Sequence, residues 1–279
     1  MNNFFTRTIT GALFVLVIVG SALWNYWVFT SVIGLFMILG LWEFYDLINR
    51  KGICSDKIAG TIIGIAIFLI TFLHNSDIIN TRITYILFFF LFSVSILVFF
   101  TELYRRSKYP FRNIANTFLG IIYIAIPFSL LISLTCFTEG DTESPAFPIF
   151  FFCILWTYDT FAYLIGVKFG KHKLFERISP KKSWEGVIAG LLFSFILAIV
   201  FSEYYFFLSL VQWLILALII VIFGTLGDLT ESMLKRSIDC KDSGTFFPGH
   251  GGILDRFDSV LLSVPFVFIY FKFLEYFYK

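Results

Sequence analysis

The sequence predicts an all-α polytopic membrane protein with about nine transmembrane helices, a cytoplasmic N-terminus and a C-terminus on the outer side. The first observation behind this prediction is composition. Hydrophobic residues make up 58% of the 279-residue chain, charged residues only 14%, and the mean hydropathy is +0.87. This composition excludes an ordinary soluble domain, because a water-exposed surface requires many more charged side chains. The other two observations are the spacing of the apolar runs and the distribution of the basic residues.

Apolar runs of sufficient length recur along the whole chain. A helix needs about 20 predominantly apolar residues to cross the hydrocarbon core of a bilayer. The predicted spans are 9–27, 29–47, 58–75, 83–101, 114–136, 147–167, 185–203, 207–229 and 257–276. The first two are separated only by the neighbourhood of Asn25, which indicates a tight helical hairpin. The sequence shows no inverted pair of interrupted helices, so the two-half design of a secondary transporter is not favoured.

The basic residues test this arrangement independently, because lysine and arginine concentrate in cytoplasmic loops. With the N-terminus inside and an odd number of spans, every basic residue falls on the inner side except Arg82, Lys272 and Lys279. The loop after the fifth predicted span carries three acidic residues and no basic one, as expected of the outer side. An even number of spans would break this alternation.

Polar residues divide the chain into two regions. Residues 1–145 consist of N-terminal transmembrane helices to which the pattern assigns no role. Residues 146–279 are predicted to form a catalytic transmembrane region, with cytoplasmic loops over 168–184 and 236–256. Most of the ionisable residues at membrane depth lie in this second region.

Acidic residues within the spans are functional candidates, because an ionised group is costly in hydrocarbon. Asp159 lies well inside the sixth predicted span, toward its cytoplasmic half. It must therefore meet a cation, a donor network or water. Glu43 and Asp46 lie near the inner end of the second span, where an interfacial pair near Arg50 is as good an interpretation as a functional one.

The end of the eighth predicted span carries a patterned polar face. Asp228, Glu231, Ser232 and Lys235 stand at positions i, i+3, i+4 and i+7, which stack on one side of a helix. A solvated helix end is the alternative interpretation. The apolar run directly before this stretch favours a face turned toward the bundle interior or a cleft at membrane level.

The basic loop before the seventh span contains the sequence SPKKSWEG, residues 179–186. Ser179 and Pro180 are typical of a helix start, which would place Lys181 and Lys182 at a preorganised turn suited to phosphate. Attraction of this basic loop to anionic lipid headgroups is the alternative explanation.

The stretch after the eighth span combines acidic, basic and glycine residues. Asp228 and Asp255 are hard oxygen ligands, which suit Mg²⁺ together with water and substrate phosphates. His250 stands among glycines whose exposed amides could receive an anion, namely Gly249, Gly251 and Gly252. The basic residues that would neutralise phosphate oxygens are Lys235, Arg236, Lys241 and Arg256. Together these groups indicate phosphoryl or nucleotidyl transfer.

The segments SMLKR, KDSG and FPGHGGILDRFD follow one another between Ser232 and Asp258. In residue types and spacing they resemble the signature of the phosphatidate cytidylyltransferases, also called CDP-diacylglycerol synthases, without departure. The SPKKSWEG segment and the surroundings of Asp159 extend the resemblance over roughly residues 150–260. The first 145 residues match the family only as apolar helices.

The resemblance implies transfer of the cytidylyl group of CTP to phosphatidate, giving CDP-diacylglycerol and pyrophosphate. Under this hypothesis Asp228 and Asp255 hold Mg²⁺, with Asp159 and Glu231 as further candidate ligands. The expected catalytic residues are Asp228, Asp255, Lys235, Arg236, Lys241 and Arg256. The expected substrate-binding residues are Ser232, Lys181, Lys182, Gly249, His250, Gly251 and Gly252.

The partners expected from this assignment are CTP, phosphatidate and membrane lipid, with no nucleic acid, and a homodimer is left open. We expect the protein in a bacterial inner membrane with its active site facing the cytoplasm. A CTP-dependent lipid kinase would use similar groups, and a transporter of anionic solutes would place acidic residues along a path. A membrane scaffold is least consistent with the long polar motif.

Overall fold

The computed structural model describes residues 3–50, 52–137, 146–244, 246 and 251–278, and these residues form a helical bundle with one small hairpin. The helices are α1 Asn3–Trp24, α2 Tyr26–Asn49, α3 Lys57–Asn75, α4 Thr81–Ser95, α5 Leu97–Arg105, α6 Pro110–Gly120, α7 Ile126–Ser133, α8 Ala146–Phe169, α9 Trp184–Tyr204, α10 Leu210–Ser237 and α11 Leu254–Tyr278. A π-helical turn, Ile121–Ala125, joins α6 to α7. The antiparallel hairpin consists of β1 Lys173–Phe175 and β2 Ser179–Ser183.

The all-α polytopic prediction is confirmed. Within the described residues, eight helical segments are long and apolar enough to cross a membrane, and the shorter apolar helix Thr8–Trp24 accompanies them. Two of the eight are composite. Helices α4 and α5 together form Thr81–Arg105, and α6, the π-helical turn, α7 and the 3₁₀ turn Leu134–Cys136 form Pro110–Cys136. The membrane orientation of the termini stays a prediction.

Local capping explains where several helices begin. Asn25 accepts a hydrogen bond from the Val28 amide at 2.8 Å and so starts α2 one residue after α1 ends. The two helices pack against each other, as the predicted hairpin requires. Asp56 caps α3 and Asn80 caps α4 in the same way.

The bundle has two packed groups of helices that meet along α11. One group is formed by α8, α9, α10 and α11, and the other by α2, α3 and α7, with α1 along α2. The fully buried Phe257, in the first turn of α11, packs on aromatic rings of three helices: Phe14 at 5.4 Å, Phe36 at 5.3 Å and Phe128 at 4.8 Å between centroids. Through these contacts the N-terminal helices pack against the end of the polar segment Ser232–Asp258.

Helices α10 and α11 extend further into the polar segment than predicted. The last turn of α10 contains Arg236, and the first turn of α11 contains Asp255 and Arg256. The connecting loop is therefore shorter than 236–256. The early start of α11 has a physical cause, because carboxylates accept hydrogen bonds from the backbone amides at this end of the helix.

The SPKKS segment is a strand, not a helix start. Ser179–Ser183 forms β2, so Lys181 and Lys182 lie on an extended segment, and Ser183 is the residue that caps α9 by accepting from the Gly186 amide at 3.2 Å. Pro180 is compatible with this strand because each strand of a two-stranded sheet has one unpaired edge.

Candidate active site

A cavity of about 910 Å³ lies between α1, α8, the hairpin, α10 and the start of α11. Its polar lining includes six of the residues singled out from the sequence: Asp159, Lys181, Lys182, Asp228, Asp255 and Arg256. The apolar part of its wall includes Phe14 and Val15 of α1 and Trp156 of α8. The cavity thus combines a charged part with an apolar wall at one end of the bundle.

An ion pair joins α10 to the hairpin across this cavity. The Lys182 ammonium lies 2.5 Å from Oδ2 of Asp228, and both side chains are partly exposed. The Ser232 hydroxyl donates to Oδ1 of the same aspartate at 3.3 Å, one helical turn further along α10. Asp228 is therefore oriented from two sides and still faces the cavity.

Lys235 connects α10 to α11 through Asp255, which lines the cavity. Its ammonium donates to Oε2 of Glu231 at 2.9 Å and to Oδ1 of Asp255 at 2.6 Å. Glu231 is fully buried, and its other oxygen, Oε1, has no hydrogen-bond partner among the described residues. An unpaired buried carboxylate oxygen costs free energy. The burial of Glu231 is therefore compensated mainly by its ion pair with Lys235.

Asp255 fastens the loop that precedes α11. Its Oδ2 accepts from the Ser243 amide at 3.0 Å and the Gly252 amide at 2.8 Å, and the Ser243 hydroxyl oxygen lies 2.8 Å away. Together with the bond from Lys235, the Asp255 carboxylate therefore accepts hydrogen bonds from α10 and from two separate parts of the loop. The backbone of Gly251 has φ +82°, a conformation that favours glycine, and a Cβ there would overlap the Asp255 side chain.

Replacing Gly251 with alanine is expected to lower turnover strongly, because the new methyl group displaces Asp255 in addition to straining the backbone by about 1–2 kcal/mol. Gly52→Ala is the matched control. Gly52 also has a positive φ, of +72°, but a Cβ added there would have no atom within 4 Å. Initial rates with purified variants check this, and equal losses in both variants would show that backbone strain, not the contact with Asp255, is responsible.

Five acidic side chains lie close to the polar part of the cavity: Asp159, Asp228, Glu231, Asp255 and Asp258. Asp258, one turn beyond Asp255 on α11, interacts electrostatically with Asp228, Glu231 and Asp159. It also lines the cavity. Asp258 is the last residue of the signature stretch, and the sequence pattern assigned it no role. Its i+3 spacing from Asp255 could have indicated that both side chains lie on the same face of the helix.

Two groups from the N-terminal helices also reach this region. The Tyr123 hydroxyl, on the π-helical turn, is buried without a hydrogen-bond partner among the described residues and lies within electrostatic range of Glu231, Asp258 and Asp228. Glu43 of α2 accepts hydrogen bonds from the loop and from the start of α11. The sequence pattern left Glu43 between two interpretations and did not indicate Tyr123.

Other predicted site residues lie apart from the cavity. Arg236 is exposed and donates to the Cys240 carbonyl oxygen at 3.3 Å, which closes the end of α10. Lys241 is exposed on the loop. Gly249 and His250 lie outside the described residues, so their predicted role in substrate binding stays a prediction.

The donor set fits magnesium bound together with substrate. No three His, Cys, Asp or Glu side chains within the described residues converge so as to hold a metal ion by themselves. Magnesium, however, usually binds through one or two carboxylates plus water and substrate phosphates. Asp228 faces the cavity with acidic neighbours, and the partnerless Glu231 oxygen adds negative charge nearby, so the chemistry of these residues suits a cation.

Comparison with known proteins gives a consistent result. The family model described as "Cytidylyltransferase family" matches residues 5–274. A phosphatidate cytidylyltransferase of Staphylococcus saprophyticus is 40% identical over 172 residues, covering 61% of this chain and 63% of the relative. Relatives of the same name from Staphylococcus aureus and Staphylococcus epidermidis are 38% identical over 177 residues, covering 63% of this chain and 65% of each relative. The matched segment therefore spans less than two thirds of these relatives.

Proposed function

The chain belongs to the cytidylyltransferase family, and on that premise we propose that it transfers the cytidylyl group of CTP to phosphatidate, giving CDP-diacylglycerol and pyrophosphate. The main observation behind this proposal is that one cavity has both a charged part and an apolar wall. Its polar part contains lysine, arginine and carboxylate side chains, and apolar side chains of α1 and α8 form the adjoining wall. Such a site suits a lipid phosphate and a nucleoside triphosphate together. The names of the staphylococcal relatives support the same substrates.

The reaction requires charge stabilisation more than acid–base chemistry. A phosphate oxygen of phosphatidate attacks the α-phosphorus of CTP, and the bond from that phosphorus to the β-phosphate oxygen breaks, so pyrophosphate leaves with the electron pair. A phosphate monoester is already ionised near neutral pH, so no strong general base is needed. We propose that Lys181, Lys182 and Arg256, which line the cavity, reduce the repulsion between the two anions.

We propose Mg²⁺ as the cofactor. Asp228 would hold it in exchange for its contact with Lys182, with Asp159 and Asp258 as the neighbouring carboxylates on the cavity wall. Asp255, the second ligand expected from the sequence, already accepts bonds from Lys235, Ser243 and Gly252, so it would exchange one of them to bind the metal. When bound, the ion would neutralise charge on the triphosphate and on the departing pyrophosphate.

We also propose that the protein resides in a bacterial inner membrane with the cavity opening toward the cytoplasm. The basic residues gather in the loops at the cavity end of the bundle, which is the side that the distribution of lysine and arginine favours. CTP is a soluble cytoplasmic metabolite, and the matched relatives are bacterial. The homodimer left open by the sequence stays a prediction.

The test is a product assay with purified protein, phosphatidate, magnesium and CTP labelled at the α-phosphate. We expect a labelled lipid and unlabelled pyrophosphate, and much slower reaction with ATP or GTP. Labelled free CDP without a labelled lipid would instead identify a CTP-dependent lipid kinase. Flux of an anionic solute through reconstituted vesicles, without CTP turnover, would identify a transporter.

A further inference from the structure

We infer that Glu43 is a positioning residue for the reaction: it fastens the loop before α11 from a distant helix and so holds Asp255 in place. This inference concerns the site of the proposed function and rests on that function for its kinetic consequence. It also gives the N-terminal helices a role that the sequence pattern did not assign.

The Glu43 carboxylate joins α2 to the start of α11. Its Oε2 accepts from the Ile253 amide at 2.8 Å, and its Oε1 accepts from the Leu254 amide at 3.1 Å. The first amide hydrogens of a helix have no acceptor within the helix, and negative charge is favoured at this end. Glu43 thus acts as the cap of α11, although it lies 211 positions away from Leu254 in the chain.

The same carboxylate also reaches the other end of the loop. The hydroxyl of Ser243, which is almost completely buried, also lies within hydrogen-bonding distance of Oε1 of Glu43, so Glu43 and Asp255 share its single proton. Ser243 in turn contacts Oδ2 of Asp255 through both its hydroxyl and its amide. Glu43 therefore closes the loop between Ser243 and Ile253, and the hydrogen-bonded path continues through Asp255 to Lys235.

Two glycines of the loop lie directly against the Glu43 carboxylate, where a side chain would not fit. A Cβ on Gly244 would lie 2.9 Å from the carboxyl carbon of Glu43, closer than real side chains approach. A Cβ on Gly252 would overlap the same carboxylate. Both ends of the loop thus need glycine because Glu43 occupies the space beside them.

Glu43 acts through other residues and not by touching substrate. It is not among the residues that line the described cavity, whereas Asp255 and Arg256 are. Releasing the loop would misplace these two groups without removing them. Misplacement by about 1 Å can cost about 100-fold in rate, so the loss should appear mainly in kcat.

The first test is Glu43→Gln, which keeps the size of the side chain but replaces one acceptor oxygen with a donor. We expect kcat per folded molecule to fall about 10- to 100-fold, with a smaller change in KM for CTP. We also expect faster hydrogen exchange in the peptides that contain Ile253 and Leu254. Asp46→Asn is the matched control, because Asp46 lies on the same helix, is exposed and pairs with Lys57 at 2.7 Å away from the loop.

The second test couples Glu43 to Gly244. Gly244→Ala alone should lower activity, but in a Glu43→Ala background it should cost little more, because the side chain it collides with is gone. Independent, multiplying losses would overturn the inference, as would normal kcat and normal exchange in Glu43→Gln. The exchange measurement needs no turnover, so a protein that fails the CTP product assay can still support or contradict the role of Glu43.

Discussion

Replacing Asp228 with Asn is expected to lower the rate of the proposed cytidylyl transfer by about three orders of magnitude or more, without loss of helical structure. The substitution keeps the size of the side chain and removes the negative charge that faces the cavity and pairs with Lys182. Steady-state rates, together with circular dichroism, check this result. Glu203→Gln is the control, because that exposed carboxylate lies in the last turn of α9, away from the cavity.

Asp255→Asn is expected to produce a loss of similar size, because Asp255 fixes the loop and lines the same cavity. The double variant should be little worse than either single variant, since residues that act as one unit are not additive. Near-normal turnover in either Asn variant, or losses that simply multiply, would show that the two carboxylates do not serve one centre.

Replacing Lys235 with Met is expected to destabilise the protein by about 3–5 kcal/mol, because it leaves buried Glu231 and partly buried Asp255 without their common cation. Thermal unfolding in detergent measures this effect. Lys272→Met is the matched control: Lys272 forms an exposed pair with Glu275 at 2.8 Å, which should contribute only about 0–1 kcal/mol.

Adding Glu231→Gln to Lys235→Met should recover part of the lost stability, because one of the two uncompensated charges is removed. Activity should remain low, since Asp255 still lacks its ammonium partner. A melting temperature for Lys235→Met equal to that of the parent protein would contradict the central place of Lys235 in this network.

Local sequence patterns were sufficient to predict the helical membrane architecture and one face of the site. Apolar length and the distribution of basic residues are local properties of the chain, so they predicted the spans closely: 58–75 corresponds to Lys57–Asn75, and 147–167 to Ala146–Phe169. The spacing of Asp228, Glu231, Ser232 and Lys235 likewise follows from 3.6 residues per turn. The observed bonds of Ser232 to Asp228 and of Lys235 to Glu231 agree with it.

Tertiary packing determines how the loop before α11 is held and which charges are paired. Glu43 and Ser243 are 200 positions apart, and no local periodicity relates them, so their contact depends on how α2 packs beside α11. The sequence pattern places Lys182 at a helix start, whereas pairing with β1 puts it on a strand, opposite Asp228. Sequence periodicity predicts which face of a single helix is polar. Which residues contact that face depends on the packing of segments that are distant in the chain.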